Sequence, residues 1–219
     1  TFMCSYISSK FYIDEKMKKF LGIILIFLVI GVIIMNYDKE SEVAVISTKY
    51  GDMIVEFYPD VAPMHVESFM ALANEKYFDG TTFHRVIPDF VIQGGDPNSK
   101  LENRSLHGTG GRAGKFFGIG DENDSSTWLI PQEFNSIPHE KGVLSMARTN
   151  DPNSASSQFF VCHGDPSFLD NNYTVFGKVI QGLEVIDSIA NVEKDMNDNP
   201  LEKIEMTVKM MKRSEVLEK

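Results

Sequence analysis

The sequence predicts a mainly β domain, folded as a closed and mostly antiparallel barrel with two helices, and preceded by one N-terminal transmembrane helix. Residues 43–219 show many short apolar runs and two helical patterns, without the strand–helix alternation of a parallel sheet. Residues 20–35 form an apolar run without a single charge. At about 150 residues per domain, a chain of 219 residues has room for one domain and an appendage.

The N-terminal apolar run follows Lys16, Lys18 and Lys19, and a basic prefix of this kind is typical of a signal peptide or a signal anchor. With Asn36 and Tyr37 the predicted span covers residues 20–37. No small-residue cleavage pattern ends it, so we expect an uncleaved anchor; with cleavage the chain would be secreted. The lysines predict a cytoplasmic N-terminus and an extracytoplasmic, periplasm-like location for the rest of the chain.

Composition limits the classes of function. The formal charge of −10 argues against a nucleic-acid partner, which would require a cationic face. Two cysteines exclude a disulfide framework and a cysteine-based zinc site, and the five histidines show no HxxxH or HxH spacing, so we predict no metal site. Met17 resembles a natural start, which would place residues 1–16 outside the natural product. The expected parts are a cytoplasmic segment 1–19, the span 20–37, a linker 38–42 and the domain 43–219.

Each element of the domain has a local signal. Two β-type runs between residues 43 and 58 flank a turn at Gly51, which predicts a hairpin. Pro63 opens a helical pattern with Val66 and Phe69 on one face, for which Asp60 is the expected cap. Further strands are expected at 82–87, 90–93, 142–147, 158–162, 174–180 and 204–210, a second helix at 183–190, and long loops over 94–141.

Few residues suggest chemistry on their own. Cys162 lies in an apolar strand, which favours a core position over a nucleophile. Ser145 lacks the G-x-S-x-G turn, so nothing local supports a Ser-His-Asp triad, although its members would be distant in the chain. Residues 108–111 are rich in glycine but do not join a strand to a helix, so we interpret them as a flexible loop. Arg85 stands between apolar residues and, taken alone, is an arginine with a packed stem and a solvated head.

Five blocks in order carry a family resemblance: FHRVIPDFVIQGGD (83–96), EFN (133–135), GVLSMA (142–147), SASSQFFV (154–161) and TVFGKVIQG (174–182). In order and spacing they resemble the cyclophilin family of peptidyl-prolyl isomerases over about residues 43–211. The resemblance implies an eight-stranded antiparallel barrel capped by two helices. It also implies catalysis of cis–trans rotation about Xaa–Pro bonds, with no cofactor and no covalent intermediate.

The same resemblance implies the site residues. Arg85, Gln93 and Phe90 match the catalytic group, in which the arginine stabilises a twisted prolyl amide, the glutamine orients the arginine and the phenylalanine borders the proline pocket. The residues implied in substrate binding are His84, Val91, Met146, Ala147, Arg148, Gln158, Phe160, Phe168, Leu169 and Tyr173.

Several positions depart from the best-known family pattern. Phe168 replaces a frequent tryptophan, Tyr173 a frequent histidine, Val91 a larger residue and Arg148 a common asparagine. Two hypotheses therefore stay open. The first is a membrane-anchored, monomeric isomerase that assists the folding of exported proteins, with proline-containing peptides and unfolded or folding proteins as partners. The alternative is a proline-peptide binding module or chaperone with little turnover.

Overall fold

The computed structural model of the protein describes residues 19–27 and 41–217. Contacts along the chain divide it into two compact units, one ending at Ser41 and one beginning at Glu42. Residues 19–27 are helical, and they cover about 14 Å at 1.5 Å per residue, half of a hydrocarbon core. Within the described ranges, no helix combines the length and the apolar character needed to cross a membrane.

The predicted transmembrane helix over residues 20–37 is therefore a prediction that the structure does not support. Its second part, residues 28–37, lies outside the described residues. The prediction that the membrane is a partner of the chain rested on this helix and is therefore unsupported as well. The extracytoplasmic location and the monomeric state are not tested by the fold and stay predictions.

The second unit is built on one antiparallel sheet of eight strands in the order β3-β4-β6-β5-β7-β2-β1-β8. The predicted hairpin is confirmed, because Ala44 pairs with Val55 and Thr48 with Gly51 around its turn. The strands are β1 Glu42–Thr48, β2 Gly51–Phe57, β3 Arg85–Ile87, β4 Val91–Gly94, β5 Val143–Met146, β6 Phe159–Cys162, β7 Val175–Gln181 and β8 Thr207–Lys212.

The sheet is an open half-barrel, and the predicted closed barrel is wrong. Its two edges, β3 and β8, do not pair with each other. They approach only through the chain beside them, where Thr82 and Glu205 form an isolated bridge and the backbone N–H of Phe83 donates to the carbonyl of Ile204 at 3.0 Å. Because β3 begins at Arg85 and β8 at Thr207, these links join flanking residues and the strand ladder stays open.

Two predicted helices are confirmed, α1 (Pro63–Asn74) and α2 (Leu183–Ala190), and a short third helix follows β8, α3 (Arg213–Leu217). The cap expected from Asp60 is wrong, since α1 begins after Ala62 without a side-chain cap. Its first N–H groups are satisfied from far along the chain: Met64 N and His65 N donate to the two oxygens of Glu133 at 3.1 and 3.0 Å.

The strands separate two apolar clusters. Phe159 and Val161 of β6 belong to the main core, which is built around the Phe69 ring of α1. Phe160 and Cys162, which alternate with them, belong to a smaller cluster with Val91, Val143, Leu169 and Val175. The smaller cluster forms the floor of the candidate site.

Candidate active site

Arg85 and Gln93 are directly opposite each other in the β3–β4 register. The Arg85 Nη1 group donates to Gln93 Oε1 at 3.3 Å, and Gln93 Nε2 donates to Gln158 Oε1 at 3.1 Å. Gln158 Nε2 in turn donates to the carbonyls of Gly108 and Gly110 at 3.0 and 2.7 Å. The guanidinium of Arg85 is therefore oriented by a relay that ends on the backbone of the glycine-rich loop.

The arginine borders a cavity of about 140 Å³ with an apolar floor. Its floor comes from β4 and β6, since Val91 and Phe160 are both almost fully buried there. The Arg85 guanidinium carbon lies 5.6 Å from the centre of the Phe90 ring, a cation–π distance. The structure thus brings together nine of the predicted site residues: Arg85, Phe90, Val91, Gln93, Ala147, Arg148, Phe160, Leu169 and Tyr173.

A tight turn between β3 and β4 places Phe90 at the rim of the cavity. Asp89 has a φ of +58°, an uncommon conformation for a residue with a side chain. Its backbone N–H donates to His163 Nδ1 at 2.8 Å, and the backbone N–H of His163 donates to the Phe90 carbonyl at 2.9 Å. Gly164 lies so close that an added Cβ would be 2.3 Å from the carbonyl oxygen of Asp89. The turn is therefore fixed by its contact with the chain after β6.

Arg148 holds the opposite rim. Its Nη2 and Nε groups donate to the Asn172 carbonyl at 2.8 and 3.2 Å, and its guanidinium carbon lies 4.4 Å from the centre of the Tyr173 ring. The Tyr173 ring in turn meets Phe160 edge-on at 5.8 Å. Two of the four departures from the family pattern, Arg148 and Tyr173, thus pack against each other and form one wall of the cavity.

A larger cavity of about 330 Å³ adjoins the first and shares Gln93, Ala147 and Arg148 with it. The glycine-rich loop, residues 108–111, forms one side of this cavity. The loop that we interpreted as flexible is hydrogen-bonded: the buried carboxylate of Asp96 accepts from Gly108 N and, at 3.1 Å, from Gly110 N. Asp96 supports the site without touching the smaller cavity. Asp96 is the last residue of the block 83–96, and the sequence alone assigned it no role.

Four predicted residues lie outside the smaller cavity. Gln158 is the relay residue on the larger one, and Met146 is buried in the main core. Phe168 is 71% exposed and stacks on Phe90 at 5.6 Å, which extends the rim outward. His84 is buried, and both of its ring nitrogens lack a hydrogen-bond partner among the described residues. Burial lowers the pKa of His84, so its ring is neutral at pH 7.

The two nucleophile candidates considered from the sequence, Ser145 and Cys162, are inaccessible. Ser145 and Cys162 have no exposed surface, because β5 and β6 are covered where these side chains lie. Burial, with the charges of Asp165 and Asp170 nearby, raises the pKa of the Cys162 thiol to about 12. A thiol in that state does not act as a nucleophile at neutral pH.

Sequence reasoning also missed a polar chain behind the cavity. His139 Nδ1 lies 2.9 Å from Asp170 Oδ1, and its Nε2 lies 3.1 Å from Ser145 Oγ. The Ser145 hydroxyl is also 2.9 Å from the Thr174 carbonyl. The only sequence signal was that Asp170 follows the pocket residue Leu169, while His139 stands in a segment without a recognised motif.

The fold and site define a class of protein: an open antiparallel sheet that presents an oriented arginine beside a peptide-sized groove with an apolar floor. Comparison with known proteins identifies the family. The sequence model of the family "Cyclophilin type peptidyl-prolyl cis-trans isomerase/CLD" matches residues 43–210. The chain therefore belongs to the cyclophilin family, and it is a peptidyl-prolyl cis–trans isomerase.

Curated relatives and solved structures agree. A probable peptidyl-prolyl cis-trans isomerase of Brucella abortus (strain 2308) is 37% identical over 174 residues, which cover 78% of this chain and 84% of the relative. A peptidyl-prolyl cis-trans isomerase of Schizosaccharomyces pombe is 39% identical over 74% of this chain and 93% of its own. The crystal structure of a Cryptosporidium parvum cyclophilin-type isomerase superposes with a TM-score of 0.67 at 28% identity, covering 78% and 97% of the two chains. A second structure of that enzyme, obtained in the presence of the dipeptide Ala-Pro, gives a TM-score of 0.66 at 29% identity over 78% and 99%.

Proposed function

We propose that Arg85 carries the isomerisation by stabilising the twisted state of an Xaa–Pro bond. Amide resonance sets a barrier of about 18–20 kcal/mol, and twisting the bond localises the lone pair on the prolyl nitrogen. A cationic donor aimed at that nitrogen stabilises the transition state more than either planar isomer. The observation that supports this role is the Arg85 guanidinium at the cavity rim, held by Gln93 and by the Phe90 ring.

The cavity with the apolar floor would hold the proline ring still while the preceding carbonyl turns. The Val91 and Phe160 side chains that form its floor carry no hydrogen-bonding group. The pyrrolidine ring of proline is itself apolar and requires no hydrogen bond there. The Ala-Pro dipeptide named with the Cryptosporidium parvum enzyme supports a substrate of this chemistry. Because the larger cavity shares Gln93 and Ala147 with the smaller, residues next to the proline would extend into it.

The biological role that follows is assistance to folding. Xaa–Pro bonds in unfolded chains exchange in tens to hundreds of seconds, slow enough to limit folding, and their isomers are what this activity equilibrates. An open groove suits unfolded or partly folded proteins, because it accepts a segment of chain without requiring a free end. Export of these substrates is a prediction from the N-terminal sequence alone.

The test is cis–trans exchange of a short Ala-Pro peptide, recorded by NMR on the full chain. Arg85→Ala is expected to reduce the exchange rate at saturating peptide by about 10²–10³, the loss typical of one removed transition-state donor. Arg112→Ala is the matched control, since Arg112 covers the Tyr77 ring at 5.0 Å and pairs with Glu75 outside both cavities. Peptide binding without exchange in the wild-type protein would contradict the proposal and favour the binding module.

A further inference from the structure

The polar chain of Asp170, His139 and Ser145 has the connectivity of a hydrolase triad: carboxylate, imidazole and hydroxyl in line. It does not have the access that such a triad requires. Ser145 has no exposed surface and His139 is 2% exposed, so a substrate carbonyl has no route to the hydroxyl oxygen. Two buried polar side chains, joined to a partly exposed carboxylate, need another role.

Each member of this chain is tied to a wall of the proline cavity. Asp170 directly follows Leu169, and Thr174 directly follows Tyr173. Ser145 is the cross-strand partner of Phe160. The His139 ring stacks on the Phe160 ring at 6.0 Å with 21° between their planes. The polar chain therefore lies directly behind three residues that line the cavity: Leu169, Phe160 and Tyr173.

The hydrogen-bond contacts of the polar chain limit where its protons can lie. The Asp170 carboxylate accepts from the backbone N–H of His139 at 2.8 Å and is acceptor-only, so His139 Nδ1 carries a hydrogen. When Nε2 is bare, the single Ser145 proton faces two acceptors, Nε2 and the Thr174 carbonyl, and one contact has no hydrogen. When Nε2 is protonated, it donates to Ser145 Oγ and the hydroxyl donates to Thr174. Only then does every contact contain one hydrogen.

We propose that His139 is a positioning residue of the isomerase site, and that a proton on its Nε2 completes the chain to Thr174 and tightens the Phe160 and Tyr173 walls around proline. The inference rests on the proposed function, in which proline occupies this cavity. The proton exchanges with solvent, and no bond other than those to hydrogen is made or broken.

Asp170 and His139 are the titratable members of the polar chain, and both have shifted pKa values. Hydrogen bonds from the backbone and ring of His139 lower the pKa of Asp170, which stays ionised. Burial lowers the pKa of His139 from 6.5, although Asp170 raises it, so its titration falls on the acid side of neutrality. Further titratable groups lie near the cluster: the Cys162 thiol of β6, which Asp165 and Asp170 influence, and Tyr173, whose ring meets the Phe160 ring edge-on.

The experiment measures KM and kcat for Ala-Pro peptide exchange on the full chain from pH 4.5 to 7.5, alongside the NMR titration of the His139 ring. We expect KM to be about threefold lower when His139 is protonated, the order of an aromatic pair's contribution. We expect no change in kcat, because the walls hold proline equally in the ground and transition states. By linkage, bound peptide should raise the pKa of His139 by about 0.5, the logarithm of that factor.

Ser145→Ala removes the acceptor for the Nε2 proton, so its KM should stay at the high-pH value throughout. Ser68→Ala is the matched control: Ser68 is an equally buried serine in α1, and this variant should keep the wild-type profile. A KM that does not change through the His139 titration, or a Ser145→Ala profile equal to wild type, overturns the proposal. Absence of any exchange in wild type would instead overturn the proposed function.

If Ser145→Ala does not fold, Asp170→Asn gives the second test at the exposed end of the chain. Loss of the carboxylate should lower the pKa of His139 further. The change in KM should then move to lower pH together with the ring titration. A KM change that stays at the wild-type pH would contradict the role of His139.

Discussion

At the scale of single residues, the orientation of Arg85 depends on neutral partners. Gln93 and Gln158 connect it to the carbonyls of Gly108 and Gly110 without a carboxylate in the relay. A carboxylate partner would offset part of the arginine's charge, whereas amide partners orient the guanidinium and leave its charge uncompensated. The glutamines thus supply direction, and the arginine supplies charge.

Cys162 permits a prediction at the same scale. Because burial raises the pKa of its thiol to about 12, the folded protein at pH 8.5 should react with iodoacetamide at least about 10³ times more slowly than a free cysteine. The measurement uses a Cys4→Ser variant, so that Cys162 is the only thiol. The urea-unfolded chain is the control and should label fully. Rapid labelling of the folded protein would show that β6 opens.

At the scale of elements, the turn between β3 and β4 depends on its neighbour after β6. We predict that Gly164→Ala lowers stability by about 1–3 kcal/mol and reduces kcat/KM, since its Cβ would meet the Asp89 carbonyl oxygen at 2.3 Å and push the Phe90 turn outward. Urea unfolding and peptide exchange measure the two effects.

The control for that substitution is Gly118→Ala. Gly118 has a φ of +85° but no atom near the position of a Cβ, so alanine there adds backbone strain without a clash. It should cost about 1 kcal/mol and leave the exchange rate unchanged. Equal activity in both variants would show that the turn accommodates the methyl group and that the Phe90 position does not depend on it.

Helix α1 depends on Glu133 in the same way. Burial by itself raises the pKa of Glu133, but hydrogen bonds from the His65 ring and from the N–H groups of Met64 and His65 bring it below its usual value. A lowered carboxyl pKa contributes stability that is complete above pH about 4.3 and is lost as pH falls through the lowered pKa.

Glu133→Gln should therefore cost about 1–3 kcal/mol at pH 7, the usual loss for a charged hydrogen bond. The variant should also lose less stability than wild type between pH 5 and 3. Urea unfolding at several pH values tests both effects. Glu67→Gln is the control, because Glu67 lies on the surface of α1 and pairs only with an exposed lysine, Lys115. A similar cost for both variants would mean that Glu133 contributes no more than a surface charge.

At the scale of the whole molecule, the two open edges of the sheet are joined by packing and by backbone hydrogen bonds between flanking residues, and no strand ladder connects them. Met206 is 1% exposed between residues 80–83 and the main core, and its backbone bonds Gly80 N and Thr81 O at 2.9 and 2.8 Å. This junction places β8 close to the segment that leads into β3, and so keeps Arg85 at its position on the edge.

We predict that Met206→Ala lowers the free energy of unfolding by about 2–5 kcal/mol, because it leaves a cavity at this junction. Met210→Ala, four residues on in β8, should cost clearly less, since Met210 is only partly buried against the core. Urea unfolding of the two variants gives the comparison. Equal losses in the two variants would show that the junction at Met206 contributes no more to the free energy of unfolding than Met210 in β8 does.

The sequence by itself determined the local elements and the identity of the family. Alternating apolar residues such as those of β6, and the helical spacing after Pro63, report which side of each segment is buried, and that property is local. The ordered blocks around Arg85 and Phe160 were sufficient for the family, and nine of the thirteen predicted site residues line one cavity.

Tertiary structure alone decided how distant segments meet. Residues 29 or more positions apart meet in three places: at the bridge of Thr82 and Glu205 beside the open edges, in the hydrogen bonds of the first α1 N–H groups to Glu133, and in the contacts of His139 with Asp170 and of Ser145 with Thr174. The spacing of apolar residues along the sequence cannot report such pairs, because it indicates which positions are buried but not which distant residues they contact. The buried His84 and the exposed Phe168 show the same limit: motif position assigned both to the substrate, and packing of the whole chain set their exposure.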